Sequence, residues 1–123
     1  MRWYACQNVA IGKSSLAANT VGCNNTAVGS STLYCNITGK ENTAVGYSAL
    51  HNNIHGHYNV AVGKNALYTN CSSYNTAVGY NVLTCQTTGA YNTVVGGWAG
   101  YYNTTGSTNT LVGLYVGHCS TTG

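Results

Sequence analysis

Small and β-branched residues recur along this chain in one polar frame, closed each time by glycine. The phrase reads NVAIG at Asn8, NTAVG at Asn25, Asn42 and Asn75, NVAVG at Asn59, NTVVG at Asn92 and NTLVG at Asn109. Successive Asn residues are 17, 17, 17, 16, 17 and 17 positions apart, and a fixed period this short signals a repeat architecture. Each repeat is too short for a helix pair, while a β-branched phrase ending in Gly suits a short strand running into a turn. The pattern predicts an all-β protein, a β-solenoid of seven coils of about 17 residues. Residues 8–123 form its single domain and residues 1–7 an N-terminal arm.

Alternation within a strand puts the residues before and after the central Ala on the same side. The last strand position is aliphatic throughout: Ile11, Val28, Val45, Val62, Val78, Val95 and Val112. Eight residues after each Asn stand Leu16, Leu33, Leu50, Leu67 and Leu83, then Gly100 and Gly117. These two columns are expected inside, and the Thr column Thr26, Thr43, Thr76, Thr93 and Thr110 with them. That placement sets aside a comparison with the flat Thr arrays of ice-binding solenoids, which Val9 and Val60 interrupt in any case. Gly after each Val, and again at Gly22, Gly39, Gly56, Gly89, Gly106 and Gly123, is expected to supply positive φ at corners. In the fourth repeat, one residue short, Ser73 holds that corner.

Stacked strands stand about 4.8 Å apart, so seven coils make a rod roughly 34 Å tall. If a second chain followed with its Cys6 after Gly123, the period would continue unbroken, which suggests head-to-tail growth. Residues Met1 to Ala5 then form either an arm whose Trp3 and Tyr4 clamp a neighbour or a frayed terminus.

The phrase N-T-A-V-G, with A-L shortly after it and T-T-G before the next Asn, resembles the head repeats of trimeric autotransporter adhesins of the YadA-like type. It is also similar to related repeats in phage and large-virus fibre proteins. The resemblance covers nearly all of residues 8–123. It implies a left-handed β-roll, often of three parallel chains, working in attachment or surface structure. The column Ala10, Ala27, Ala44, Ala61 and Ala77 matches the small residues of that motif.

Six cysteines and four His are the side chains with the most chemistry. Cys6 and Cys23 both lie two residues before a repeat Asn, so in-register stacking brings them to about 5 Å, within disulfide range. Cys71 and Cys85 lie in adjacent coils and are expected to bridge diagonally. Cys35 and Cys119 are five repeats apart, on the order of 24 Å, and are left free or bonded to neighbouring subunits. Bridges between coils point to an oxidising, extracellular setting. Four sequons, at Asn24, Asn36, Asn70 and Asn103, are candidate glycan acceptors, although so Asn- and Thr-rich a chain carries sequons by chance. Among the His, only His55 and His57 have paired spacing, and Gly56 between them marks a corner. A solvated loop is the better reading there, and no metal or other cofactor is expected.

Eleven Tyr are present, of which Tyr58, Tyr74 and Tyr91 each directly precede a repeat Asn and should stack as an aromatic ladder. It serves stabilisation or subunit contact, with sugar binding as the other reading. Enzyme chemistry has little to work with: there is no Asp, and Glu41 is the one Glu. A carboxylate pair and a Ser-His-Asp triad are therefore both unavailable. The glycine-rich VVGGWAG at residues 94–100 is followed by no helix pattern that would present a phosphate site. Four Lys and Arg residues in all make no phosphate-tracking stripe, so nucleic acid is not an expected partner. No run is long enough to span a membrane, and MRWYACQNVAIGK has no apolar signal core, so either a signal was removed or release is by lysis.

Together these features predict a non-catalytic subunit of an extracellular or virion fibre, stacked head-to-tail and held by disulfides. The alternative is a trimeric adhesin or tail-fibre head that binds surface glycans.

Overall fold

A computed structural model describes residues 6–122. Seven three-residue strands make one parallel sheet in sequence order: β1 (Val9–Ile11), β2 (Thr26–Val28), β3 (Thr43–Val45), β4 (Val60–Val62), β5 (Thr76–Val78), β6 (Thr93–Val95) and β7 (Thr110–Val112). Each strand pairs with the equivalent residues of the next, Ala27 opposite Ala44 and Val28 opposite Val45. The chain is a β-solenoid. The one-residue deletion in the fourth repeat leaves this register intact, with Ala61 opposite Ala77. Outside the strands the coils remain joined by backbone bonds, such as Leu50 N–H to the Ala66 carbonyl (2.9 Å) and Gly46 N–H to the Val28 carbonyl (2.8 Å).

The strand faces are inverted relative to the sequence-based expectation. Ala27, Ala44, Ala61 and Ala77 are fully buried, whereas Val45 and Val95 are more than a third exposed and Val112 is 70% exposed. Thr43, Thr93 and Thr110 share that outer face and are exposed. The reason is the width of the coil. Its interior already holds the Leu column, which is buried as expected, and two columns of amide side chains. Where the leucine is present, in coils one to five, the strand places a methyl opposite those groups and the flanking β-branched residues face out.

The amide columns are the polar half of the core. Asn42 donates both its backbone N–H and its Nδ2 to Asn25 Oδ1 (3.0 and 3.1 Å), and its Nδ2 also reaches the Gly56 carbonyl (2.8 Å). Asn59 repeats the arrangement on Asn42, and Asn92 on Asn75. A second ladder, eleven residues after each repeat Asn, runs through Asn19, Asn36, Asn53 and Asn70, with Gln86 and Asn103 above. Its members from Asn36 to Asn103 are buried. Among the described residues no buried side-chain N or O atom lacks a partner. Such networks polarise along their length, which makes the fully satisfied ladder a strong constraint on register.

Corner chemistry departs from expectation in two ways. Gly12, Gly29 and their equivalents do have positive φ, between 124° and 140°. Gly22, Gly39, Gly56, Gly89 and Gly106 do not; they are glycine because space is lacking. A Cβ on Gly39 would lie 2.5 Å from the Gly56 carbonyl oxygen and collide with the Asn36 side chain. Gly123 is outside the described residues. The left-handed positions are instead taken by non-glycine residues, including Leu33 and Leu50 at φ 50° and Tyr58, Tyr74 and Tyr91 near 60°. In the shortened fourth coil the corner belongs to Ser72, not Ser73. The Ser72 carbonyl accepts from Asn59 Nδ2 and Asn70 Nδ2 (both 2.8 Å), as a corner glycine's carbonyl does elsewhere. Ser73 Oγ turns out to accept the His57 N–H at 2.9 Å.

Candidate functional site

Three outward features are regular enough to act on a partner. The first is the sheet face, where the row Ile11 to Val112 runs beside the row Val9 to Thr110. Neither row contains a charged residue.

The second is the expected tyrosine ladder. Tyr58 and Tyr74 stack at 5.0 Å with 17° between planes, and Tyr74 and Tyr91 at 5.0 Å and 8°. All three are exposed, and His57 leans on Tyr58 at 6.2 Å.

The third feature was missed in the sequence. Nine residues after each repeat Asn stand Ala17, Tyr34, His51, Tyr68, Thr84, Tyr101 and His118. Tyr34 and His51 stack at 5.1 Å, His51 and Tyr68 at 4.9 Å, and Tyr101 and His118 at 5.6 Å. Five of the seven positions are aromatic or imidazole, a signal readable from the period alone. Thr84 interrupts this column and leaves an open cleft of about 410 Å³ lined by Tyr47, Ser48, Asn65, Tyr68, Thr84 and Tyr101. Partial burial, then the neighbouring Cys85, Tyr102 and Tyr80, push the Tyr101 phenol up from its ordinary value, and burial does the same to the Cys85 thiol. Both groups are therefore neutral at physiological pH.

Cys6 and Cys23 are joined, with Cα atoms 4.8 Å apart. Cys71 and Cys85, expected as a diagonal pair, are both free. Their register explains it: Cys71 N–H bonds the Thr87 carbonyl, so Cys71 lies against Thr87 while Cys85 sits two residues back. Cys35 and Cys119 are also free thiols within the chain. Trp3 and Tyr4, expected to clamp a neighbour, lie outside the described residues.

Three of the four sequons are closed to glycosylation. Asn36 and Asn70 are fully buried and Asn103 is 2% exposed. Each has its Nδ2 committed inside the second ladder, Asn36 to Asn19 Oδ1 at 2.7 Å and Asn70 to Asn53 Oδ1 at 3.1 Å. Asn103 Nδ2 bonds Gln86 Oε1 at 2.9 Å. Asn24 alone is exposed, at φ 60°.

His55 and His57 are tied to the preceding coil, His55 Nδ1 to Thr38 Oγ1 (2.6 Å) and His57 Nδ1 accepting the Lys40 N–H (3.0 Å). Among the described residues no three of His, Cys, Asp and Glu are grouped to hold a metal ion, and no helix is long and apolar enough to cross a membrane.

No family model, curated protein or solved structure matches this chain.

Proposed function

We propose that this chain is a non-catalytic structural unit of an extracellular or virion fibre, and that it assembles with copies of itself. The observation that carries the reading is the aliphatic row on the outer sheet face. Seven aliphatic residues, Ile11 through Val112, run along the solenoid axis beside a Thr-rich row, with no charge to interrupt them. A continuous uncharged strip of this kind is costly to leave in water and marks an interaction surface. Copies set side by side bury it along their whole length.

The sheet order also makes β1 and β7 edge strands, each with one side unpaired among the described residues, and parallel edges accept a further strand by backbone pairing. End-to-end stacking is thus compatible with side-by-side packing. The Cys6–Cys23 bridge supports an oxidising location. A single carboxylate, on the exposed Glu41, supports the non-catalytic reading.

Sedimentation velocity and negative-stain electron microscopy on the unreduced protein test this. Rods or a discrete oligomer are expected, and Val45→Lys with Val62→Lys should dissociate side-by-side contacts while leaving the circular dichroism spectrum unchanged. A trimer without rods would favour the adhesin-like arrangement over head-to-tail growth. A monomer at high micromolar concentration would overturn self-assembly.

A further inference from the structure

We infer that the break in the second aromatic column at Thr84 is a binding slot for a neutral hexopyranose ring. The column stacks at about one ring per coil on both sides of the break, Tyr34–His51–Tyr68 below and Tyr101–His118 above. Backbone bonds fix the register through it: Thr69 N–H meets the Thr84 carbonyl (3.2 Å) and Cys85 N–H meets the Tyr101 carbonyl (3.1 Å). Tyr68 and Tyr101 are therefore separated by two strand spacings, about 9.6 Å, with only a threonine between them. Between Tyr34 and His118 one ring is missing from the stack, at Thr84, and its space is the cleft of about 410 Å³. That volume falls within the range of small-molecule sites.

The walls and floor specify the occupant. Tyr68 and Tyr101 both line the cleft, with Trp98 tilted against Tyr101 at 4.9 Å, and aromatic faces attract the C–H bonds of a chair-form ring because those faces carry the negative side of the aromatic quadrupole. A chair is thicker than a planar ring, which suits an interval of two full coils. The floor is polar but committed in one direction only. Asn65 Nδ2 donates to Asn81 Oδ1 (3.0 Å) and Thr84 Oγ1 donates to the Asn65 carbonyl (3.2 Å). Asn65 Oδ1 and the Thr84 Oγ1 lone pairs are left as acceptors for sugar hydroxyls. Among the described residues the phenol hydroxyls of Tyr47, Tyr68 and Tyr101 make no hydrogen bond, so the rim can donate as well as accept.

Charge argues for a neutral sugar. Lys64 Nζ lies 5.8 Å from the ring centres of both Tyr47 and Tyr80 and is not part of the lining. No carboxylate and no guanidinium line the cleft. The slot is built from side chains five to nine residues after the repeat Asn, around the corner from the strand face. It is independent of the self-assembly reading, and either can fail alone.

Saturation-transfer NMR on the unreduced full chain provides the test, with methyl glycosides of glucose, galactose and mannose, the corresponding trisaccharides, and p-cresol as a planar aromatic competitor. A ligand of this size binds at about the millimolar level. At least one glycoside should show transfer strongest at its axial ring protons. Thr84→Tyr, which supplies the missing ring on a backbone that already carries Tyr68 and Tyr101 at the equivalent positions, should abolish that signal and leave the melting temperature the same or higher. Tyr68→Ala should weaken binding about tenfold by removing one wall, and it gives a second reading if Thr84→Tyr does not fold. Preference for a trisaccharide would identify a chain-binding slot, and preference for the monosaccharide a single-ring one; both support the assignment. No glycoside binding up to tens of millimolar, as judged from the affinity bound above, would overturn it. So would binding that survives Thr84→Tyr undiminished, or p-cresol occupying the slot where the sugars do not.

Discussion

The middle coils and the last two coils fill the same interior with different columns. In coils three and four the strand contributes a methyl, Ala44 and Ala61, and the bulk comes from Leu50 and Leu67. In coils six and seven the strand carries Val94 and Leu111, and the position of the leucine is Gly100 and Gly117. A Cβ on Gly117 would lie 2.8 Å from Leu111 Cδ1, and one on Gly100 2.9 Å from Leu83 Cδ2. When the strand residue grows, the leucine shrinks to nothing. What persists between the regions is the asparagine ladder that runs through both.

If the ladder is the common element, cutting it should cost most. Asn42→Ala leaves the buried Asn59 backbone N–H without an acceptor, since Asn42 Oδ1 is its partner at 3.0 Å. It also opens a void beside the Gly56 carbonyl. A loss of about 4 kcal/mol is expected, from an orphaned buried donor, the cavity and a broken polarised chain. Urea denaturation measures it. A cost below about 1 kcal/mol would mean that water replaces the amide and the ladder is not what fixes register.

Leu50→Ala comes next, at about 3 kcal/mol, because a fully buried leucine leaves a cavity that rigid neighbouring coils cannot close. The same measurement on Leu111→Ala should give roughly half that, since Leu111 is only partly buried at the end of the stack. Equal costs would show that the end coil is as well packed as the middle.

The exchange of volume between columns can be tested directly. Gly117→Leu alone should collide with Leu111, and Leu111→Ala alone should leave a hole. The double variant restores the middle pattern in coil seven. Gly117 already has φ 63°, close to the 50° of Leu50, so the backbone accepts the leucine. A double-mutant cycle should return a favourable coupling of about 1–2 kcal/mol. Additive effects would show that the two columns pack independently.

How much of this was legible in advance follows from the same physics. The period exposes the solenoid, its register and the Leu column, because all three are consequences of a repeat at fixed spacing. The Cys6 and Cys23 approach follows from stacking distance alone. The side each strand residue faces was not legible from hydropathy, which ranks Val45 above Ala44 for burial. The narrow coil ranks them by size, and a single repeat does not reveal how many columns share the interior. The second ladder was concealed for a related reason: Asn36, Asn70 and Asn103 read as sequons because a buried amide column and an accessible acceptor look alike in sequence. The cleft at Thr84 becomes visible only once the column around it is recognised.

The smallest expected effect concerns the one ladder that the middle coils have and the ends lack. Tyr58, Tyr74 and Tyr91 occupy the position directly before the repeat Asn, where the outer coils place Asn24, Glu41 and Thr108, all at φ near 60°. A bulky aromatic residue is disfavoured in that left-handed region, whereas Asn tolerates it. Tyr74→Asn therefore gives up two stacking contacts worth about 1 kcal/mol together and recovers a comparable part of the backbone strain. The net destabilisation should be under about 1 kcal/mol in thermal or urea unfolding, with the two effects opposing. A loss above about 2 kcal/mol would mean that stacked rings, and not the amide ladder beneath them, hold the middle coils together. The difference between the middle and the ends would then be one of stability. A near-zero result leaves the tyrosines as surface, present in the middle coils because something outside the chain meets them there.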